Sequence, residues 1–175
     1  MSRVFKRLGL NKLSAPDCRS NNRGVGWEFV HVCIDDASRI AFTEIKPGER
    51  KRSAVAFLKA DVIYYASLGV AVEHVVMTDN GSCYRSFAFR NARRRLGLKH
   101  IRTRPYTPKT NGKAERFVQT CLREWAYARA YLNGVKELPF LVHRYNWHRL
   151  HASAGAGPPI SRLGLTENNL LRLHI

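Results

Sequence analysis

Two alternating stretches divided by a short polar turn set the architecture of this chain of 175 residues. Trp27-Glu28-Phe29-Val30-His31-Val32-Cys33-Ile34 sends successive side chains to opposite faces. Residues 39–46 do the same, with Ile40, Phe42 and Glu44 against Ala41, Thr43 and Ile45. A period of two is the mark of a strand. Between them lies Asp35-Asp36-Ala37-Ser38, whose short polar side chains can bond their own backbone, so a β-hairpin is predicted. Pro47-Gly48 ends it. From Ser53 the period becomes helical, which puts Val55, Leu58, Val62, Ile63 and Ala66 on the face predicted to be buried. Ser53 would cap the start of that helix and Gly69 its end.

Beyond it, residues 72–77 form a short apolar run, the pattern of a strand buried on both faces. It ends at Thr78-Asp79-Asn80-Gly81. Residues 86–96 read as a basic helix stopped by Gly97, and 99–103 as a strand. Residues 104–112 are rich in turn formers, 113–131 and 138–149 read as helices, and Gly155-Ala156-Gly157-Pro158-Pro159 closes the pattern. Residues 1–26 read as irregular and polar. The order β-β-α-β-α-β-α-α predicts an α/β fold, a mixed sheet with helices on both faces.

The length and a hydrophobic content of 45% indicate one globular domain with a sizeable core. Thirty Lys and Arg against 13 Asp and Glu give a net charge of +17, which points to a polyanionic partner, nucleic acid before an anionic membrane. No apolar run approaches the about 18 residues of a spanning helix. Lys6 and Arg7 are not followed by an apolar signal core, so the expected location is the cytoplasm. Cys18, Cys33, Cys83 and Cys121 form no CxxC pair, and Cys33 and Cys121 sit in apolar patterns as core thiols. His148 and His151, beside His143, have no Cys or carboxylate cluster to complete a four-ligand set and read as structural.

Charge is distributed unevenly. The 35 residues between Asp79 and Glu115 include no acid and ten cations: Arg85, Arg90, Arg93, Arg94, Arg95, Lys99, Arg102, Arg104, Lys109 and Lys113. A divalent cation needs oxygen ligands and a phosphate backbone needs cations around them. Asp79 follows a buried strand, the end at which α/β sheets bind ligands. Glu115 falls in the first turn of a helix. Taken singly, Asp79 also fits a turn and Glu115 also fits complementation of the helix dipole. Jointly they fit a metal site for phosphoryl transfer set in a nucleic-acid-binding surface.

Four ordered motifs across about residues 24–165 resemble a known family. Thr78-Asp79-Asn80-Gly81-Ser82 is similar to the second-aspartate motif of the retroviral-integrase-like core. Tyr106-Thr107-Pro108-Lys109-Thr110-Asn111-Gly112-Lys113-Ala114-Glu115-Arg116 is similar to its glutamate motif at the family's spacing. Val32-Cys33-Ile34-Asp35-Asp36-Ala37-Ser38-Arg39 resembles its second strand and turn. Tyr145-Asn146-Trp147-His148-Arg149-Leu150-His151 resembles the closing motif of bacterial insertion-sequence transposases. The resemblance implies a ribonuclease-H-like fold and metal-dependent cutting and joining of transposon DNA ends. It implies Asp79 and Glu115 as catalytic metal ligands for Mg²⁺ or Mn²⁺. Arg93, Arg94, Arg95, Lys109, Lys113 and Arg116 would contact DNA, both transposon ends and target. It leaves open a homo-oligomer or association with an intact transposase, in a nucleoid-associated bacterial setting.

The family uses three acids, and its first lies on a strand preceding residues 27–34. Residues 3–15 resemble the linker ahead of that strand, and residues from Ser20 onward the loop after it. The expectation is therefore a fold truncated at the first strand, with the junction near residues 17–20. Residues 1–23 would be a linker remnant, 24–165 the core and 166–175 a tail. Asp35 and Asp36 match the structural turn, and Asp17 matches nothing catalytic. Arg149-Leu150-His151 also departs from the family's Arg-Pro-His. The expected activity is impaired polynucleotidyl transfer; the alternative is an inactive DNA-binding remnant or regulator of an intact relative.

Overall fold

Residues Phe5–Leu13 form a strand, β1, at the centre of a five-stranded sheet. The computed structural model describes residues 5–13, 28–70, 75–103, 112–121, 123–124, 134–151 and 155–164, with the backbone course alone at 5–13, 28, 75, 112–114 and 134–137. The strands β2 (Glu28–Asp35), β3 (Ala41–Lys46), β4 (Val75–Thr78) and β5 (Lys99–Arg102) complete the sheet in the order β3-β2-β1-β4-β5. β1 pairs antiparallel with β2 from Lys6↔Asp35 to Leu13↔Glu28, and parallel with β4 from Phe5↔Val75 to Leu8↔Thr78. This corrects the expectation of a sheet truncated at its first strand and, at Phe5–Leu13, that of an irregular linker; the rest of residues 1–23 lies outside the described residues. The reason is physical. Phe-Lys-Arg-Leu-Gly-Leu-Asn-Lys-Leu has weak alternation and three cations, so its own preference for a strand is slight. A central strand gains ladder hydrogen bonds from both neighbours, and that context outweighs propensity.

The predicted hairpin is present. β2 and β3 pair from Phe29↔Lys46 to Ile34↔Ala41. The buried Asp35 carboxylate holds its turn by accepting from the Ser38 backbone N–H at 2.7 Å and the Ser38 hydroxyl at 2.6 Å.

Helices cover both faces. α1 (Lys51–Ser67), the short α2 (Ser82–Arg85) and α3 (Phe87–Arg95) lie on one face, α4 (Gly112–Cys121) and α5 (Gly134–Trp147) on the other. β2 feeds both cores by alternation. Cys33 packs with Phe57, Leu58, Tyr65 and Phe89, while Val30, Val32 and Ile34 pack with Phe117, Leu138 and Val142.

The face of α1 differs from expectation. Ala54, Phe57, Leu58, Asp61 and Tyr65 are buried, Val55 and Val62 are half-buried, and Ile63 and Ala66 are exposed. The aromatic rings take the core, where Tyr65 also donates its hydroxyl to the Ile40 carbonyl at 2.7 Å. A stripe drawn through aliphatic residues alone misses them. Arg50, not Ser53, occupies the N-cap, without a side-chain cap, while Gly69 does end the helix at φ +73°. α5 starts four residues before the expected Leu138 and accommodates Pro139.

At the far edge, Asn146 joins α5 to β3. Its Oδ1 accepts from the Ala41 N–H and its Nδ2 donates to the Ala41 carbonyl, both at 2.8 Å. A buried amide thus fills the place of a missing strand partner on an edge. This accounts for the Asn in the closing motif. Nearby, the His143 ring lies 6.0 Å from Trp147 and 5.4 Å from His148, and His151 lies 4.8 Å from Tyr145.

Candidate metal and nucleic-acid site

Asp79 follows the last residue of β4 and is half-buried. Its neighbours fix the backbone that carries it. The Thr103 N–H donates to the Thr78 carbonyl at 2.9 Å, and the Asn80 amide returns a bond to the Thr103 carbonyl at 3.0 Å. One carboxylate oxygen of Asp79 accepts from the Gly81 N–H at 2.8 Å, and the other has no hydrogen-bond partner among the described residues. Gly81 leaves the carboxylate its place: a Cβ there would stand 2.9 Å from Asp79 Oδ1 and 3.4 Å from the Tyr84 ring, so the carboxylate would have to shift. The sequence Asp-Asn-Gly is thus a local device that aims a carboxylate.

Beneath it, the buried Thr78 hydroxyl donates to the Asp79 carbonyl at 2.9 Å and lies 2.7 Å from His100 Nε2. With that hydroxyl proton committed, the imidazole must supply a proton from Nε2. Burial first, then the charges of Arg93 and Arg102, pull His100 down to about 4, so it is neutral near pH 7. Cys83 lies nearby, but burial and then the Asp79 charge push its thiol up to about 11. A protonated thiol does not compete as a ligand.

Glu115 is exposed in the first turn of α4, which packs against β1 and β2. The strand register supplies the next constraint. β1 and β4 pair as far as Leu8↔Thr78; continued by one step, that register would bring Gly9 level with Asp79, and Gly9 pairs with Val32, whose side chain packs under α4. β1 contains no Asp or Glu. The strand position is filled, but the residue level with Asp79 on the α4 face has no side chain.

Asp35 cannot substitute. It pairs with Lys6, which pairs with Val76, so it stands three residues back from Asp79 along the strand direction and two strands across. At about 3.3 Å per residue the first offset alone is about 10 Å. Asp36 is in the same turn and pairs with Arg39 at 3.6 Å. Asp17 lies outside the described residues.

Asp79 and Glu115 each offer carboxylate oxygens, the donor chemistry that a hard divalent ion takes. Mg²⁺ is commonly held by one or two carboxylates together with substrate phosphate oxygens. Among the described residues no group of three or more His, Cys, Asp or Glu is placed to hold a metal.

The basic candidates divide between two faces. Arg94 and Arg95 are exposed on α3, and Arg116 is exposed on α4, across the sheet. They do not form the single surface that their closeness in sequence suggested. Arg93 is half-buried and donates to the Leu98 carbonyl at 3.0 Å, closing the turn into β5. Lys113 is described by its backbone alone, and Lys109 lies outside the described residues.

A mixed sheet in this order, with an acid at the end of β4 and another at the start of the following long helix, defines a protein built like a retroviral integrase catalytic core. Solved structures agree. The chain superposes on a chain of the simian T-cell lymphotropic virus intasome in complex with PP2A regulatory subunit B56 gamma with a TM-score of 0.75 at 19% identity, covering 93% of this chain and 55% of that one. It superposes on the catalytic core domain of BIV integrase at 0.65 and 17% identity, covering 96% and 97%. The integrase core domain family matches residues 17–108 and again residues 96–159. The chain belongs to the integrase core domain family. Transposase InsD for insertion element IS2A/D/F/H/I/K of Escherichia coli is 36% identical over 55% of this chain and 35% of its own length. Transposase InsD for insertion element IS2D of Escherichia coli strain K12 matches to the same extent. The chain spans between about a third and a half of the length of the curated relatives it matches. Among the described residues no helix is long and apolar enough to cross a membrane.

Proposed function

We propose that this chain is a transposase core that engages transposon DNA, with Asp79 and Glu115 as ligands to one Mg²⁺ or Mn²⁺ ion and with strand-transfer chemistry weakened or lost. Family membership, the relatives named transposases and the net charge of +17 support the DNA substrate and a nucleoid setting. The bound metal would supply a Lewis acid for a phosphate oxygen. The protein's own part is to aim Asp79 through the Gly81 N–H and to draw the DNA backbone with cations such as Arg116. The observation that carries the impairment is Gly9. In-line displacement is best served by two metals clamped by a full acid set, and β1 brings none alongside Asp79. The same observation supports a regulatory role, in which the chain occupies DNA or joins an intact transposase without cutting.

Metal titration tests the ligand assignment. Glu115→Gln keeps helix propensity and removes the charge, so Mn²⁺ affinity should fall about tenfold or more with helicity unchanged. Unaltered Mn²⁺ affinity would return Glu115 to a surface residue that complements the helix dipole.

A further inference from the structure

The two edges of the sheet are guarded differently. β5 carries Lys99 and Arg102, charges that deter pairing with another strand. β3 has Glu44 and Lys46, but they pair with each other at 2.9 Å. Asn146 occupies Ala41, the first position of β3 whose N–H and carbonyl point away from β2. Backbone groups alternate in direction along an antiparallel strand. Those of Thr43 and Ile45 therefore also point outward, and they have no hydrogen-bond partner among the described residues.

Apolar side chains flank that edge. A groove of about 410 Å³ runs between α1 and α5, lined by Phe42, Tyr64, Leu68, Pro139, Val142 and Trp147, with Thr43 and Asn146 also on its wall. Ile63 and Phe140, both exposed, lie within one helical turn of lining residues on the same helices. An extended segment laid along Thr43 and Ile45 sends alternate side chains to opposite faces, one towards α1 and one towards α5. The groove suits a strand with bulky aliphatic residues at every second position.

The sequence supplies such a segment nearby. The described course ends at Gly164, after the short 3-10 helix Pro159–Leu163. That helix packs against α5, Ile160 shares a buried cluster with Trp147, and Arg162 donates to the Ala37 carbonyl in the hairpin turn. It thus delivers the chain to the turn end of β3, beside the groove. Residues 165–175 follow, Leu-Thr-Glu-Asn-Asn-Leu-Leu-Arg-Leu-His-Ile, with Leu171, Leu173 and Ile175 alternating against Arg172 and His174. Extended, these residues reach up to about 36 Å, whereas β3 from Ala41 to Ile45 covers only about 14 Å.

We propose that residues 165–175 pair with the outer edge of β3 as a further strand. Their backbone takes up the Thr43 and Ile45 groups, continuing from the place that Asn146 holds at Ala41, and Leu171, Leu173 and Ile175 fill the groove between α1 and α5.

Amide hydrogen exchange on the full chain, read residue by residue by NMR, tests this. The Ala41 N–H, held by Asn146, reports an intact fold. In the unmodified chain the Thr43 and Ile45 N–H groups should exchange about a hundredfold more slowly than open amides. Leu171→Asp with Leu173→Asp should return both towards the open rate and leave Ala41 slow. Leu171→Ala with Leu173→Ala should act in the same direction with less effect, which guards against misfolding. Arg172→Ser with His174→Ser, on the other face, should leave the protection in place; equal loss there would overturn the seating of the three aliphatic residues in the groove. Free exchange of Thr43 and Ile45 in the unmodified chain would overturn the proposal, as would protection that the leucine variants retain. Protection that disappears on dilution would also overturn it, by assigning the edge to a second copy of the chain.

Discussion

Asp35 and Asp79 look alike in the sequence: each closes a strand and opens a polar turn. Their surroundings make them opposites. Asp35 is 1% exposed, and one of its oxygens takes both the N–H and the hydroxyl of Ser38. Asp79 is half-buried and takes one N–H; each carboxylate keeps one oxygen without a partner among the described residues, but that of Asp35 is sealed from solvent. The first spends its charge on a turn. The second leaves charge available to a ligand. The two also stand at different levels of the sheet, so neither can take over the other's task. A carboxylate becomes a candidate ligand where its unused oxygen stays within reach of solvent.

The largest effect should come from the turn. Asp35→Ala strips a buried, charged acceptor from two donors and should cost about 3 kcal/mol, seen as a melting temperature lower by about 10 °C, with Mn²⁺ affinity retained in the folded fraction. Asp79→Asn should do the reverse, abolishing Mn²⁺ binding with little change in melting. Equal behaviour of the two variants in both assays would break the contrast.

A subtler change acts on aim alone. Gly81→Ala places a Cβ against Asp79 Oδ1, and the carboxylate can rotate away without moving the core. Mn²⁺ affinity should fall about tenfold, in keeping with the loss of an outer-shell partner, while stability changes by less than about 1 kcal/mol. A variant that loses stability but binds metal normally would mean that Gly81 serves the fold and not the site.

A pH dependence also belongs to the Asp79 side. His100 is held below its ordinary value of 6.5, at about 4. A base with a depressed folded value stabilises the fold fully above pH 6.5, and that contribution drains away as pH falls toward 4. His31 and His151, both lowered chiefly by burial, add in the same sense. Melting temperature should therefore decline from pH 7 to pH 4.5, and His100→Gln should reduce that decline. An identical decline in the variant would remove His100 from the account.

The hairpin, β4, β5 and the basic helix α3 were legible because local periodicity and turn residues specify them. β1 was not, since pairing with two neighbours outweighs its three cations. The buried face of α1 was not, since Phe57, Tyr65 and even Asp61 take the core in place of Ile63 and Ala66. Asn146 could be recognised as part of a motif, but its bonds to Ala41 span 105 positions and are purely tertiary. Asp79 and Glu115 stood out by charge context. That Arg94 and Arg95 are parted from Arg116 by the sheet follows from chain crossing, which spacing does not encode.

The proposed impairment, an acid set short by one at Gly9, can be tested directly. The direct measurement is Mn²⁺-supported cleavage of DNA bearing the ends of a related insertion element, comparing the unmodified chain, Gly9→Asp, and Gly9→Asp combined with Asp79→Asn. The unmodified chain should not cleave, Gly9→Asp should gain cleavage, and that gain should be lost when Asp79 is also replaced. Robust cleavage by the unmodified chain that vanishes in Asp79→Asn alone would contradict the impairment.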